Sequence, residues 1–202
     1  CISGPKRLEG AMNFRHVLPV LVAHAASSLL HIPAREGRTS EVADLLDRGG
    51  LRPWINYRTE DGQTPVMAAS LAGHAEVVEL LIQRGCNVTI GDKEGYKPLD
   101  AASWTGHPEV VEVLIKYSSP EKLHTFHSDG FAPIHRACWG DGHRHSKAVQ
   151  VLLEAGVDPE LQAKNGTSCM QLARRQETRD LLNGHIGRLR SAQKHATAKT
   201  EL

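Results

Sequence analysis

Twelve histidines and four cysteines in 202 residues make metal binding and acid–base catalysis the first chemistries to test. The densest group is His135, Cys138, His143 and His145, the last two within Gly140-Asp141-Gly142-His143-Arg144-His145. Zinc takes Cys and His ligands in tetrahedral sites, so the residue types are suitable. Their spacing is not: it matches no standard finger, and Cys138 is expected on the buried face of a helix. An extended, solvated loop is the expected reading, with no metal and no cofactor. Cys86, Cys138 and Cys169 form no CxxC pair and are expected to be free buried thiols that pack as small hydrophobes. That usage suits a reducing compartment. There is no GxSxG, no HExxH and no glycine-rich phosphate loop closed by a lysine. Glu76, Glu79, Glu109 and Glu112 recur at i, i+3, as carboxylates on a solvated helix face do, and are not expected to work as an acid–base pair. No enzyme is expected.

Composition narrows the partners. Lys and Arg number 24 against 23 Asp and Glu, a net charge of +1. Duplex binding draws on a clear basic excess, so nucleic acid is not an expected partner. No apolar run reaches 18 residues, so no membrane span is expected. The segment 17–30 is apolar but broken by Pro19 and His24, with no Met before it. It reads as part of a truncated upstream element and not as a signal peptide. Lipidation of Cys1 would have a single residue in its favour. Hydrophobic residues at 40% and charged ones at 23% describe a globular chain, expected in the cytoplasm or nucleus.

The elements that would position any site are set by self-similarity. Asp61-Gly62-Gln63-Thr64-Pro65 returns as Glu94-Gly95-Tyr96-Lys97-Pro98, and both Gly62 to Gly95 and Pro65 to Pro98 span 33 positions. Gly73-His74 and Gly106-His107 keep the register. So do Glu76-Val77-Val78-Glu79-Leu80-Leu81-Ile82 and Glu109-Val110-Val111-Glu112-Val113-Leu114-Ile115. A third copy opens at Asp129-Gly130-Phe131-Ala132-Pro133-Ile134-His135 and closes at Val151-Leu152-Leu153-Glu154-Ala155-Gly156, with three extra residues between. In the first of these copies Thr64 is a natural N-cap, Pro65 suits the first helical position, and Gly73 suits a left-handed stop. Val77, Val78, Leu80, Leu81 and Ile82 then give a second helix a broad apolar face. One such pair cannot bury that face alone, so neighbours must stack.

This period, with its TPLH-like opening, resembles the ankyrin family. The resemblance implies an all-α repeat fold, a solenoid of stacked helix-turn-helix units with short β-hairpin-like loops. Five units are expected at 28–60, 61–93, 94–128, 129–164 and 165–187, with 1–27 a cap or the remnant of an upstream repeat and 188–202 polar, a frayed helix or a mobile tail. In the first unit Pro33 falls inside the first helix, which is expected to be short, kinked or shifted. His31 and His135 occupy the tetrapeptide histidine, which in the family bonds between hairpins. Met67 and Asp100 replace it in the middle units.

The resemblance also implies where a partner docks: on the concave surface of hairpin tips and first helices. Gln63, Tyr96 and Phe131 follow the hairpin glycine, while Leu71, Trp104 (with Thr105 beside it) and Trp139 precede the first helix's closing turn. These seven residues are the expected partner-binding set. Tyr96, Trp104, Phe131 and Trp139 would form an aromatic strip in a chain only 4% aromatic. The expected function is a monomeric, non-catalytic scaffold or adaptor that binds a partner protein. The alternative is a targeting or regulatory module of a larger enzyme.

Overall fold

The computed structural model describes residues 29–48 and 50–200, with side chains described as far as 194. The expectations for residues 1–28, including Cys1 and the N-terminal cap, lie outside the described residues. The helices are α1 (29–35), α2 (Thr39–Asp47), α3 (Pro65–Ala72), α4 (Ala75–Gln83), α5 (Pro98–Thr105), α6 (Pro108–Lys116), α7 (Pro120–Leu123), α8 (Pro133–Trp139), α9 (His143–Glu154), α10 (Cys169–Leu172) and α11 (Gln176–Thr200). Within units α3 packs on α4, α5 on α6 and α8 on α9. First helices stack on first helices and second on second: α3 on α5, α5 on α8, α8 on α10, and α4 on α6, α6 on α9, α9 on α11. The array is an all-α repeat solenoid.

Local chemistry explains each unit. Thr64 accepts a bond from the Met67 N–H at 3.3 Å and Pro65 opens α3, as the sequence requires. The first helices are short and built of small residues because they are enclosed on nearly all sides; Pro65 through Ser70 are all buried. The second helices bury one face only, Val77, Val78 and Leu81 in α4 and Val110, Val111 and Leu114 in α6. Gly73 has φ 86°, and a Cβ there would stand 2.5 Å from His107 Nδ1. The residue that stops one helix thus makes room for the next unit's histidine.

That contact recurs. The His74 Nε2–H donates to the Arg35 carbonyl at 3.0 Å, His107 to Leu71 at 3.2 Å and His145 to Trp104 at 3.0 Å. Each satisfies a carbonyl at the open end of the preceding unit's first helix. Between units, loops 59–63, 92–96, 127–131 and 163–167 close as hairpins. The Thr59, Asp92, His127 and Ala163 N–H groups donate to Gln63, Tyr96, Phe131 and Thr167, all at 2.9 Å. Among the described residues no strand forms, and the one isolated bridge is Gln162 to Ser168.

Three expectations are corrected. The helix 29–35 continues through Pro33 in the common register, ending at a left-handed Gly37. The proline falls in the second turn, where one lost bond is tolerated beneath the buried Leu30 and Ala34. The three extra residues of the fourth unit form no extended loop. His143-Arg144-His145 add a turn to the start of α9, leaving only 140–142 extended. Cys138 and Cys169 are not free thiols but a disulfide between α8 and α10, with Cα atoms 5.6 Å apart. They face each other because both lie on first helices of adjacent units. Beyond 187, where a frayed helix or a mobile tail is expected, α11 runs on to Thr200, tied to the array where the Arg190 guanidinium donates to Glu160 at 2.9 Å.

Candidate functional site: an aromatic groove over three units

Five of the seven expected residues meet in one groove of about 480 Å³. Leu71, Tyr96, Trp104, Phe131 and Trp139 line it, from three consecutive units. Trp104 is 51% exposed and Trp139 39%, high values for the largest apolar side chains. Their rings meet edge to face with centroids 5.8 Å apart, and Phe131 lies 5.8 Å from Trp139. The three rings form a corner open to solvent. Gln63 and Thr105 are not among the lining residues. The Gln63 carbonyl accepts from His31 Nε2 at 2.8 Å, and the Thr105 hydroxyl donates to the Ala101 carbonyl at 2.8 Å. Thr105 therefore spends its polar group on its own helix.

The floor of the groove is polar and was not foreseen. Arg136, only 7% exposed, donates through Nη2 to both Asp129 oxygens at 3.0 and 2.8 Å and through Nε to Asp100 at 3.4 Å. Its guanidinium lies 4.5 Å from the Tyr96 ring centre, and the other partner of that ring is His127, stacked at 4.1 Å. The Tyr96 hydroxyl donates to Asp129 at 3.3 Å. Burial raises the Asp129 pKa, but the Phe131 amide and the Arg136 guanidinium outweigh it and bring it to about 2. Asp100 moves the other way: its burial outweighs the Lys97 amide and Arg136, and raises its pKa. The register could have revealed this cluster. Arg136 occupies the position of Ala68 and Ala101, one unit along from the aspartate that replaces the tetrapeptide histidine.

The histidine–cysteine group expected to be metal-free is dispersed. His135 accepts from the Ala132 N–H at Nδ1 and donates from Nε2 to the Leu161 carbonyl, bonding between hairpins as the resemblance implied. His145 serves the Trp104 carbonyl, His143 pairs with Glu177, and Cys138 is in the disulfide. Among the described residues, no group of three or more His, Cys, Asp or Glu side chains could hold a metal ion. The outer carboxylates bridge units: Glu79 accepts from Lys116 at 3.0 Å and Glu109 from Arg144 at 3.1 Å. No described helix is long and apolar enough to cross a membrane.

Two desolvated histidines, the buried His135 and the half-buried His107, give the array an acid sensitivity. Desolvation lowers the pKa of His107 and of His135 below the ordinary 6.5, against the carbonyl bonds that raise it. Below that value the unfolded chain binds more protons than the folded one. Their contribution is therefore complete above about pH 6.5 and declines as the pH falls. The thermal midpoint is expected to drop between about pH 7 and pH 5, ahead of the carboxylates. His135→Gln should flatten that decline; an unaltered slope would assign it to other groups.

Stacked helix pairs with hairpin loops between them, and an open aromatic groove across three of them, define a repeat solenoid of the kind that binds other proteins. The chain belongs to the ankyrin-repeat family. A model of three ankyrin repeats matches residues 30–125, and a single ankyrin repeat matches 129–164. Curated relatives include a protein named probable E3 ubiquitin-protein ligase XBOS33 from Oryza sativa subsp. japonica, 41% identical over 66 residues. Another is ankyrin repeat-containing protein P1E11.10 from Schizosaccharomyces pombe, 38% identical over 63 residues. These alignments cover 33% and 31% of this chain, and 12% and 29% of the respective relatives.

Proposed function

We propose that the chain is a non-catalytic interaction module, a scaffold or adaptor, that binds a partner protein in the groove around Trp104 and Trp139. The observation carrying this reading is the exposure of two tryptophans from adjacent units, in contact with each other and with the half-buried Phe131. Exposed apolar patches that are concave and rimmed by polar groups mark interaction sites, and buried aromatics dominate their energetics. Capture of partners from an extract of the source cells tests it. Trp104→Ala with Trp139→Ala is expected to weaken capture by at least tenfold, with cooperative unfolding largely retained. Unchanged capture by a destabilised double variant would assign the rings to packing instead.

A second reading is a targeting or regulatory module within a larger enzyme. It is favoured by the relative named as a probable ubiquitin ligase, of which this stretch covers 12%. The groove would then recruit a substrate or restrain the enzyme. The full reading frame separates the two, since only the second requires a catalytic domain on the same polypeptide.

A further inference from the structure

We infer that the groove receives a basic side chain, lysine or arginine, from an extended segment of its partner. This rests on the interaction-module reading and adds the chemistry of the ligand. Trp104, Trp139 and Phe131 present a corner of aromatic surface with neighbouring centroids 5.8 Å apart. A cation within about 6 Å of such ring faces is attracted by their quadrupoles. Tyr96 already holds a guanidinium in this way, with Arg136 4.5 Å from its centre.

Charge selects the sign of the ligand. The lining contains three carboxylates, Asp92, Asp100 and Asp129, and one cation, Arg136. Arg136 is turned into the floor, committed to Asp129 and Asp100 and shielded by burial. Asp92 forms no ion pair among the described residues. Its Oδ1 accepts from the Glu94 and Tyr96 N–H groups at 3.0 and 2.9 Å, which fixes the carboxylate without cancelling its charge. On the other side of the tryptophan pair, Asp141 and Arg174 line an adjoining hollow and offset each other. An aliphatic side chain would use the rings and ignore the charge, whereas a carboxylate would be repelled. A basic side chain uses both: its methylene stem lies along Leu71 and the rings while its head sits near the carboxylates.

The test uses the full chain and short Gly/Ser peptides with one central lysine, arginine, norleucine or glutamate. Indole N–H shifts of Trp104 and Trp139 report binding, with Trp54 as internal reference. Lysine and arginine peptides are expected to shift both indoles saturably, about tenfold more tightly than norleucine. That preference should shrink with added salt and in Asp92→Asn, which retains the turn-closing oxygen and removes the charge. Norleucine binding as tightly as lysine would overturn the inference while leaving the groove as an apolar docking site. No saturable shift with any peptide would overturn it too, while capture by the tryptophan variants judges the module reading separately.

Discussion

Arg136→Met is expected to lower the unfolding free energy by about 3–5 kcal/mol, the range for breaking one side of a buried charge pair. Methionine can follow the arginine stem, so little packing is lost. What it removes is the neutralising charge. Asp100 is 6% exposed and would be left with the Lys97 N–H at 3.1 Å as its remaining donor. Asp129, with its side chain 33% exposed, can recover water and should contribute less to the loss. Urea unfolding of Arg136→Met, Asp100→Asn and the double variant closes the argument. The double variant should be much less destabilised than the two single losses added together, because an amide at 100 needs no counter-charge. A single-variant loss below about 1 kcal/mol would show that Arg136 behaves as an ordinary surface pair.

Arg136 also shows where sequence reading stopped. The period identified helix starts at Pro65, Pro98 and Pro133 and stops at Gly73 and Gly106, because capping, fixed φ and left-handed glycine are local effects. It brought Tyr96, Trp104, Phe131 and Trp139 together, because positions one period apart become neighbours in a stack. The same rule applied to Ala68, Ala101 and Arg136 would have placed a cation above Asp100. It stayed hidden because arginine on a helix is usually read as solvent-facing. The 138–169 disulfide escaped for a related reason, since contact between first helices joins positions that differ from an exact period.

The insertion was misread through glycine. Gly140-Asp141-Gly142 has the composition of a loop, yet aligning Leu152 with Leu81 sets Ser146 level with Ala75. The residues just before Ser146 could therefore extend the helix, and the longer α9 puts His145 within reach of the Trp104 carbonyl. Gly184 and Gly187 do not end α11. A glycine inside a helix costs only about 1 kcal/mol, and Arg188, Leu189, Arg190, Ala192, Gln193 and Lys194 are good helix formers with no proline among them. Buried Leu182 anchors the start of that run to the array.

Position within the stack decides the other large effect. Leu114→Ala is expected to cost about 2–5 kcal/mol, the transfer loss of a buried leucine plus the cavity it leaves. Leu182 is as fully enclosed, at 0% exposure against 1% for Leu114, so burial alone predicts equal losses. A linear array predicts otherwise, since each unit is held by its neighbours and a central defect weakens two interfaces. Leu114 lies on α6, which packs against both α4 and α9, whereas Leu182 lies on α11, stacked on α9 at the end of the described array. Leu114→Ala should therefore lower the midpoint for the whole array and reduce the denaturant slope, as the halves on either side begin to unfold separately. Leu182→Ala should instead loosen α11 first, seen as early hydrogen exchange confined to the last unit, with the main transition little changed. If both variants shift the main transition equally, the stacked units unfold as one block and the nearest-neighbour description fails.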